Sequence, residues 1–198
     1  VVLMMENRSL DNLLGWLYSD QNNQPPNNVP AQTPTSYDGL VKYKYWNQLT
    51  PTSPRVYASE GADSTTVPNP DPDESFAGMT SQIFGTSQTA DMSGFLADYA
   101  TQDAADPNQI MQSYSPAQVP VISQLAKSFA LCDAWFASAP CQTWPNRGFV
   151  HTGSSDGHIN NDDYEPYDIN TIFNLLEAQG INWMVYSDSI APSLVHAM

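Results

Sequence analysis

Positive charge is what this chain has least of: six Lys and Arg stand against 21 Asp and Glu, a formal net charge of -15. Phosphate backbones recruit clustered cations, so the balance argues against nucleic acid as a partner. It argues equally against a polybasic membrane anchor. Long apolar runs are missing too. None approaches the roughly 20 residues that span a bilayer, so no transmembrane segment is expected. The opening Val1-Val2-Leu3-Met4-Met5 has no basic flank and does not read as a signal peptide; an apolar run beginning at residue 1 suggests a natural N-terminus further upstream. Cysteine is scarce. Cys132 and Cys141 could form one disulfide in an oxidising compartment or remain thiols. The reading leans to two free, mostly buried thiols. CxxC, GxGxxG, Walker and HExxH patterns are all absent, which leaves dinucleotide, P-loop and zincin chemistry without support.

What is present is a foldable composition. Hydrophobic residues make up 41% and aromatics 11%, with five Trp and ten Tyr, which excludes global disorder. At 198 residues the chain can form one good-sized domain or part of a larger one. Charged residues are only 14%, so Asn, Gln, Ser and Thr must cover much of the surface. That surface suits an exported protein, secreted or periplasmic.

Val1 to Met5 reads as a fully buried strand. Leu10, Leu13, Leu14 and Leu17 then repeat at helical spacing, with Ser9 placed to cap them. From about Ser19 to Pro70 the chain turns to Asn, Gln, Pro, Ser and Thr, a long loop-rich insertion with a short strand expected at Leu40 to Trp46. Helices are expected over Asp73 to Phe84, with Phe76, Met79, Ile83 and Phe84 on one face and Gly85 as the stop, over Met92 to Tyr99, and after Pro120. Phe129 to Phe136 reads as a strand leading into a polar turn, Ser138 to Arg147. Thr143 there is the expected N-cap of a helix with Pro145 in its first turn. A last helix through Ile169 and Leu176 ends at Gly180, and Ile181, Trp183 and Val185 alternate as a strand. The pattern is a three-layer α/β domain around a mostly parallel sheet.

Two polar turns, each just past an expected strand, occupy the edge where open α/β sheets bind ligands. Glu6 and Asn7 offer two oxygen donors side by side, suited to a hard divalent cation or, as readily, to a capping segment. Thr143, with Arg147 four residues on, fits a phosphate at a helix N-terminus or an ordinary cap beside a surface arginine.

Val2-Leu3-Met4-Met5-Glu6-Asn7-Arg8-Ser9-Leu10-Asp11-Asn12-Leu13-Leu14-Gly15 resembles the first motif of the phosphoesterase family, which includes non-specific phospholipases C and a group of acid phosphatases. Thr143-Trp144-Pro145-Asn146-Arg147 resembles its second motif, and Ser128 to Pro140 its lead-in. Ser75 to Gly85 and Asp168 to Tyr186 are also similar, so the resemblance covers nearly the whole chain. It implies the N-terminal part of a single phosphoesterase domain, with an alkaline-phosphatase-like sandwich and 19–70 as an insertion. It implies metal-dependent hydrolysis of a phosphate ester, a phospholipid being one candidate substrate. Glu6, Asn7 and Thr143 would hold one divalent metal of unknown identity. Thr143 would also be the catalytic nucleophile, forming a phosphothreonine that water hydrolyses. Asn146 and Arg147 would hold phosphoryl oxygens or lock the turn.

The chain departs from that pattern at two points. Further acidic and His-containing motifs of the family normally lie downstream, and Val195-His196-Ala197-Met198 does not replace them, so this piece alone is expected to be nearly inactive. Many members also carry His near the position of Glu74. His151 is expected buried and hydrogen-bonded, and His158 is a candidate substrate contact on a polar loop. Asn160 to Asp163 has a calcium-like composition without EF-hand spacing, and reads as a solvated loop. Two alternatives to a phospholipase C remain in view: an acid phosphatase acting on soluble monoesters, and a truncated, non-catalytic binding paralogue.

Overall fold

The structure is a computed structural model describing residues 1–18, 37–62, 68–161 and 168–186, together with the backbone of 28–29. Much of the expected insertion, Asp162 and Asp163 of the Asn/Asp run, and His196 therefore lie outside the described residues. The helices are α1 (Leu10–Leu14), α2 (Phe76–Phe84), α3 (Phe95–Tyr99), α4 (Pro120–Ser128), α5 (Thr143–Thr152) and α6 (Ile172–Ala178). The strands are β1 (Asn28–Val29), β2 (Trp46–Asn47), β3 (Val56–Tyr57), β4 (Ser59–Glu60), β5 (Gln112–Ser113) and β6 (Leu131–Cys132). Two compact units emerge: Val1–Asp73 with Thr80–Phe136, and Glu74–Met79 with Ala137–Met198.

The first unit contains every described strand. β1 pairs parallel with β6, and β4 parallel with β5, while β2 and β3 form an antiparallel pair with Trp46 opposite Tyr57. The architecture is thus mixed α/β with small, partly parallel sheets. Its main apolar cluster joins Leu14, Leu17 and Tyr18, on and just past α1, to Ala126 of α4. Leu10, Leu13, Ile122 and Leu131 pack around it. A second cluster unites Trp16, Leu40 and Ala58. Buried Asn47 links the hairpin to α3, because its Oδ1 accepts from Leu96 N–H at 3.1 Å and its Nδ2 donates to Met92 O at 3.0 Å. Such a buried amide is tolerated because both its ends are bonded. Gly94 lets α3 begin against α2, where an added Cβ would collide with the Ser81 carbonyl oxygen.

The helical expectations hold with shorter bounds. Ser9 Oγ accepts from Asn12 N–H at 3.1 Å and caps α1. Gly85, at φ 52°, ends α2, yet Phe76 on that helix is exposed rather than buried. Several strand expectations fail. Val1 to Met5 forms no strand and all five residues are exposed. The strand expected at Leu40 to Trp46 appears as Trp46–Asn47, and the run Phe129 to Phe136 keeps only Leu131–Cys132 as strand. Ile181 to Val185 is exposed and forms no strand. The common reason is that an apolar alternation only permits a strand, whereas a ladder requires a neighbour. Among the described residues no segment pairs with 1–5 or 181–185.

In the second unit Phe173 of α6 lies between His151 of α5 and Trp183, at ring-centroid distances of 5.5 and 4.5 Å. Thr171 starts α6 with a capping box: its hydroxyl accepts from Asn174 N–H while Asn174 Oδ1 accepts from Thr171 N–H. Among the described residues no helix is long and apolar enough to cross a membrane.

Candidate active site

Helix α5 begins one residue earlier than its sequence suggests. Gln142 is the N-cap, with extended backbone at ψ 178°, and Thr143 is the first helical residue rather than the cap. Gln142 makes no side-chain cap of its own. The missing acceptor comes from Asn161, whose Oδ1 receives Trp144 N–H at 2.9 Å. Gln142 answers by accepting Asn161 N–H on Oε1 at 2.6 Å, so helix start and returning loop hold each other. Asn161 is therefore a structural cap and not a solvated loop residue. With Trp144 N–H committed to it, and Pro145 having no N–H, the expected row of backbone donors for a phosphate is interrupted twice.

Asn146 holds the turn that precedes Thr143. Its Nδ2 donates to Cys141 O at 2.8 Å, Ala139 O at 3.2 Å and Gln142 O at 3.3 Å, and its Oδ1 accepts from Ala139 N–H at 3.4 Å. Pro145 and Cys141 are fully buried beside it. Of the two roles left open for Asn146, locking the turn is the one its contacts express. Thr143 and Arg147 are half-buried and four residues apart, hence on one face of α5. Gln142 Nε2 also donates to Glu74 Oε1 at 3.3 Å, which brings the acidic residue of the α2 approach to the residue next to Thr143.

His151, expected buried with a hydrogen bond, is half-buried and packs on the Phe173 ring instead. Burial, and then the Arg147 guanidinium one turn away, hold its pKa below the usual imidazole range. Helix α5 stops at Gly153, φ 77°, and His158 follows on a turn where its N–H donates to Ser155 O at 2.9 Å. It stands only three residues before Asn161, so its backbone lies within about 11 Å of that cap. Both cysteines are free thiols. Cys141 is buried as expected, and its burial pushes the thiol pKa up; Cys132 is exposed, against expectation, because its strand lies at the end of a two-residue ladder.

The first motif belongs to the other unit. Glu6 and Asn7 are exposed, and Asn7 adopts the left-handed backbone at φ 63°. Asn tolerates that region better than most residues, and here it breaks the extended chain just before the Ser9 cap. Arg8 Nη1 donates to Asn12 Oδ1 at 2.9 Å and its guanidinium lies 5.3 Å from the Tyr114 ring centroid, which ties the motif to its own helix. Glu6 offers a carboxylate and Asn7 an amide oxygen, both reached by solvent. That chemistry fits a hard divalent cation.

Sequence reasoning missed Gln142 and Asn161. No local signal marks them, because Asn161 lies 17 residues beyond the Trp144 it caps and Gln142 has no capping side chain of its own.

A model of the phosphoesterase family matches residues 1–197. The chain belongs to the phosphoesterase family. It is similar to non-specific phospholipase C1 of Arabidopsis thaliana, at 32% identity over 198 residues, covering 96% of this chain and 34% of that protein. Non-specific phospholipase C6 of the same plant is 31% identical over 208 residues, covering 99% of this chain and 36% of the relative. Non-hemolytic phospholipase C of Burkholderia pseudomallei (strain K96243) is 33% identical over 76 residues, 35% of this chain and 11% of its own length. The chain spans about a third of the length of the Arabidopsis relatives it matches.

Proposed function

We propose that this chain carries the nucleophile-bearing part of a metal-dependent phosphoester hydrolase of the phospholipase C type. The observation that carries the reading is Thr143 at the first position of α5, on a turn fixed by Asn146 and by the Gln142–Asn161 exchange. The similarity to proteins named phospholipase C supports the substrate class. A rigid turn matters because a hydroxyl reacts efficiently only when held in line with the scissile bond.

In the proposed reaction Thr143 Oγ1 attacks phosphorus and passes its proton to solvent water, while the bond from phosphorus to the ester oxygen breaks with its electron pair going to that oxygen. The leaving alkoxide takes up a proton, and water then releases phosphate monoester or phosphate from the phosphothreonine. Glu6, Asn7 and Thr143 would hold a divalent cation, which when bound lowers the pKa of the hydroxyl and offsets phosphoryl charge. Arg147, on the Thr143 face of α5, would neutralise a phosphoryl oxygen, and His158 would contact the substrate from the returning loop. Glu74 cannot supply the positive charge of a histidine; through Gln142 it positions the turn. One carboxylate balances only half of a divalent charge, so further anionic oxygens, the substrate phosphate among them, would complete the cation's shell. The reading includes an alkaline-phosphatase-like sandwich and an exported, secreted or periplasmic location, the latter supported by the polar and sparsely charged composition.

The test is turnover of phosphatidylcholine and of p-nitrophenyl phosphate by the native protein and its Thr143 variants. Thr143→Ala should abolish hydrolysis with little loss of folding, and Thr143→Ser should retain part of it. Full activity in the alanine variant would end the proposal. Preference for the soluble ester would redirect it to an acid phosphatase.

A further inference from the structure

Three of the chain's six cations, Lys42, Lys44 and Arg55, fall within residues 41–57, where there is no Asp or Glu at all. The rest of the chain carries all 21 acidic side chains against three cations. Within this segment each cation lies against an aromatic ring. Lys42 Nζ is 5.0 Å from the Tyr43 centroid, Lys44 Nζ 4.7 Å from that of Tyr45, and Arg55 Cζ 4.0 Å from that of Trp46. Tyr43 also meets Tyr57 edge-on at 5.8 Å, which ties the approach to β2 with β3. Lys42, Lys44 and Arg55 are exposed, as are Val41, Tyr43 and Leu49.

We propose that the 41–57 segment is a docking surface for an anionic phospholipid bilayer. Its composition is that of an interfacial anchor: Tyr and Trp place an apolar body and a polar tip at the headgroup level, and cations beside them meet lipid phosphates. Val41 and Leu49 offer apolar surface that a bilayer can bury and a nucleic-acid backbone cannot. Screening at physiological salt confines charge effects to about 8 Å, so Asp38, whose carboxylate acts on Lys44, offsets part of that cation's charge while distant acidic groups are weakly felt. Three cations fall short of the four to eight of a purely electrostatic anchor, so rings and charges act together. The inference stands on this segment and not on hydrolysis, because docking needs no turnover.

Vesicle flotation of the native protein tests it, with phosphatidylcholine alone and with roughly one-third phosphatidylserine added. Anionic vesicles should bind the protein well, and the K42Q/K44Q/R55Q variant should bind roughly 100-fold more weakly. Arg55 stacks on Trp46, so K42Q/K44Q serves as the variant least able to disturb the hairpin; it should lose about 25-fold. K42R/K44R should bind as the parent does. Equal binding by the glutamine variants, or indifference to phosphatidylserine, would overturn the proposal. So would segment-dependent binding of a single-stranded oligonucleotide without vesicle binding. Turnover of a soluble phosphate ester, either p-nitrophenyl phosphate or monomeric short-chain phosphatidylcholine, on the same samples separates the two claims. Its absence counts against hydrolysis alone, and its presence without vesicle binding counts against docking alone.

Discussion

Asn146 donates its side-chain amide to the Cys141 carbonyl oxygen at 2.8 Å, across the turn that delivers Thr143 to the start of α5. The same nitrogen lies 3.2 and 3.3 Å from the Ala139 and Gln142 carbonyl oxygens, so its two protons are shared among three backbone acceptors, two of which also accept backbone N–H groups. Asn146→Ala removes all three side-chain bonds; Ala139 O keeps the Cys141 N–H and Gln142 O keeps the Asn146 N–H, while Cys141 O loses its shortest donor. The expected loss is about 1–3 kcal/mol of stability, read by thermal or urea unfolding. In the native protein hydrolysis should fall as well, because the nucleophile's turn loosens. An unchanged unfolding midpoint would show that the turn is held elsewhere.

Asn161 caps a helix that lies 17 residues upstream, through its bond to Trp144 N–H. Asn161→Ala should cost about 0.5–2 kcal/mol. Asn161→Asp keeps the acceptor and adds a negative charge at the positive end of α5, so it should be neutral or stabilising at pH 7. Equal destabilisation by both variants would contradict the capping role.

The two thiols should behave differently. Cys132 is exposed and should react with a thiol reagent in the folded protein at once. Cys141 is buried with its pKa raised by that burial, and should react only on the timescale of unfolding. A time course under native conditions, followed by denaturant, reads both populations; two fast thiols would contradict the buried turn.

Asp11 gives a pH dependence with a definite sign. Its residue is exposed as a whole, yet crowding of the carboxyl by protein atoms, and then the Asp38 carboxylate, push its pKa up to about 6. A folded-state pKa above the unfolded value means that the folded form binds the extra proton. The stabilising contribution is therefore complete below about pH 4 and is lost as pH rises through about 6. Asp11→Asn should flatten the stability profile between these limits and raise stability above pH 6. An unchanged profile would show that solvent screens the carboxyl fully.

Local signals were the legible ones. Ser9, Gly85, Pro120, Pro145 and Gly180 each mark a helix boundary through side-chain or backbone preferences that act within a few residues, and the structure keeps all five boundaries to within a residue or two. Strands are poorly legible because pairing depends on distant partners: Val1 to Met5 and Ile181 to Val185 have the right pattern and no strand neighbour among the described residues. The site divides the same way. Thr143 and Arg147 could be singled out from a helix start, but the 17-residue reach from Asn161 back to Trp144, and the Glu74–Gln142 contact across 68 residues, leave no periodic trace.

The central claim is that Thr143 is the nucleophile, and its most direct test is the covalent intermediate. The native protein should be mixed with a phosphate ester, quenched in acid within a turnover, digested and mapped by mass spectrometry. The account predicts phosphate on the peptide that contains Thr143, and none on that peptide from Thr143→Ala. Phosphate on a different residue, or undiminished turnover by the alanine variant with no phosphopeptide, would contradict it.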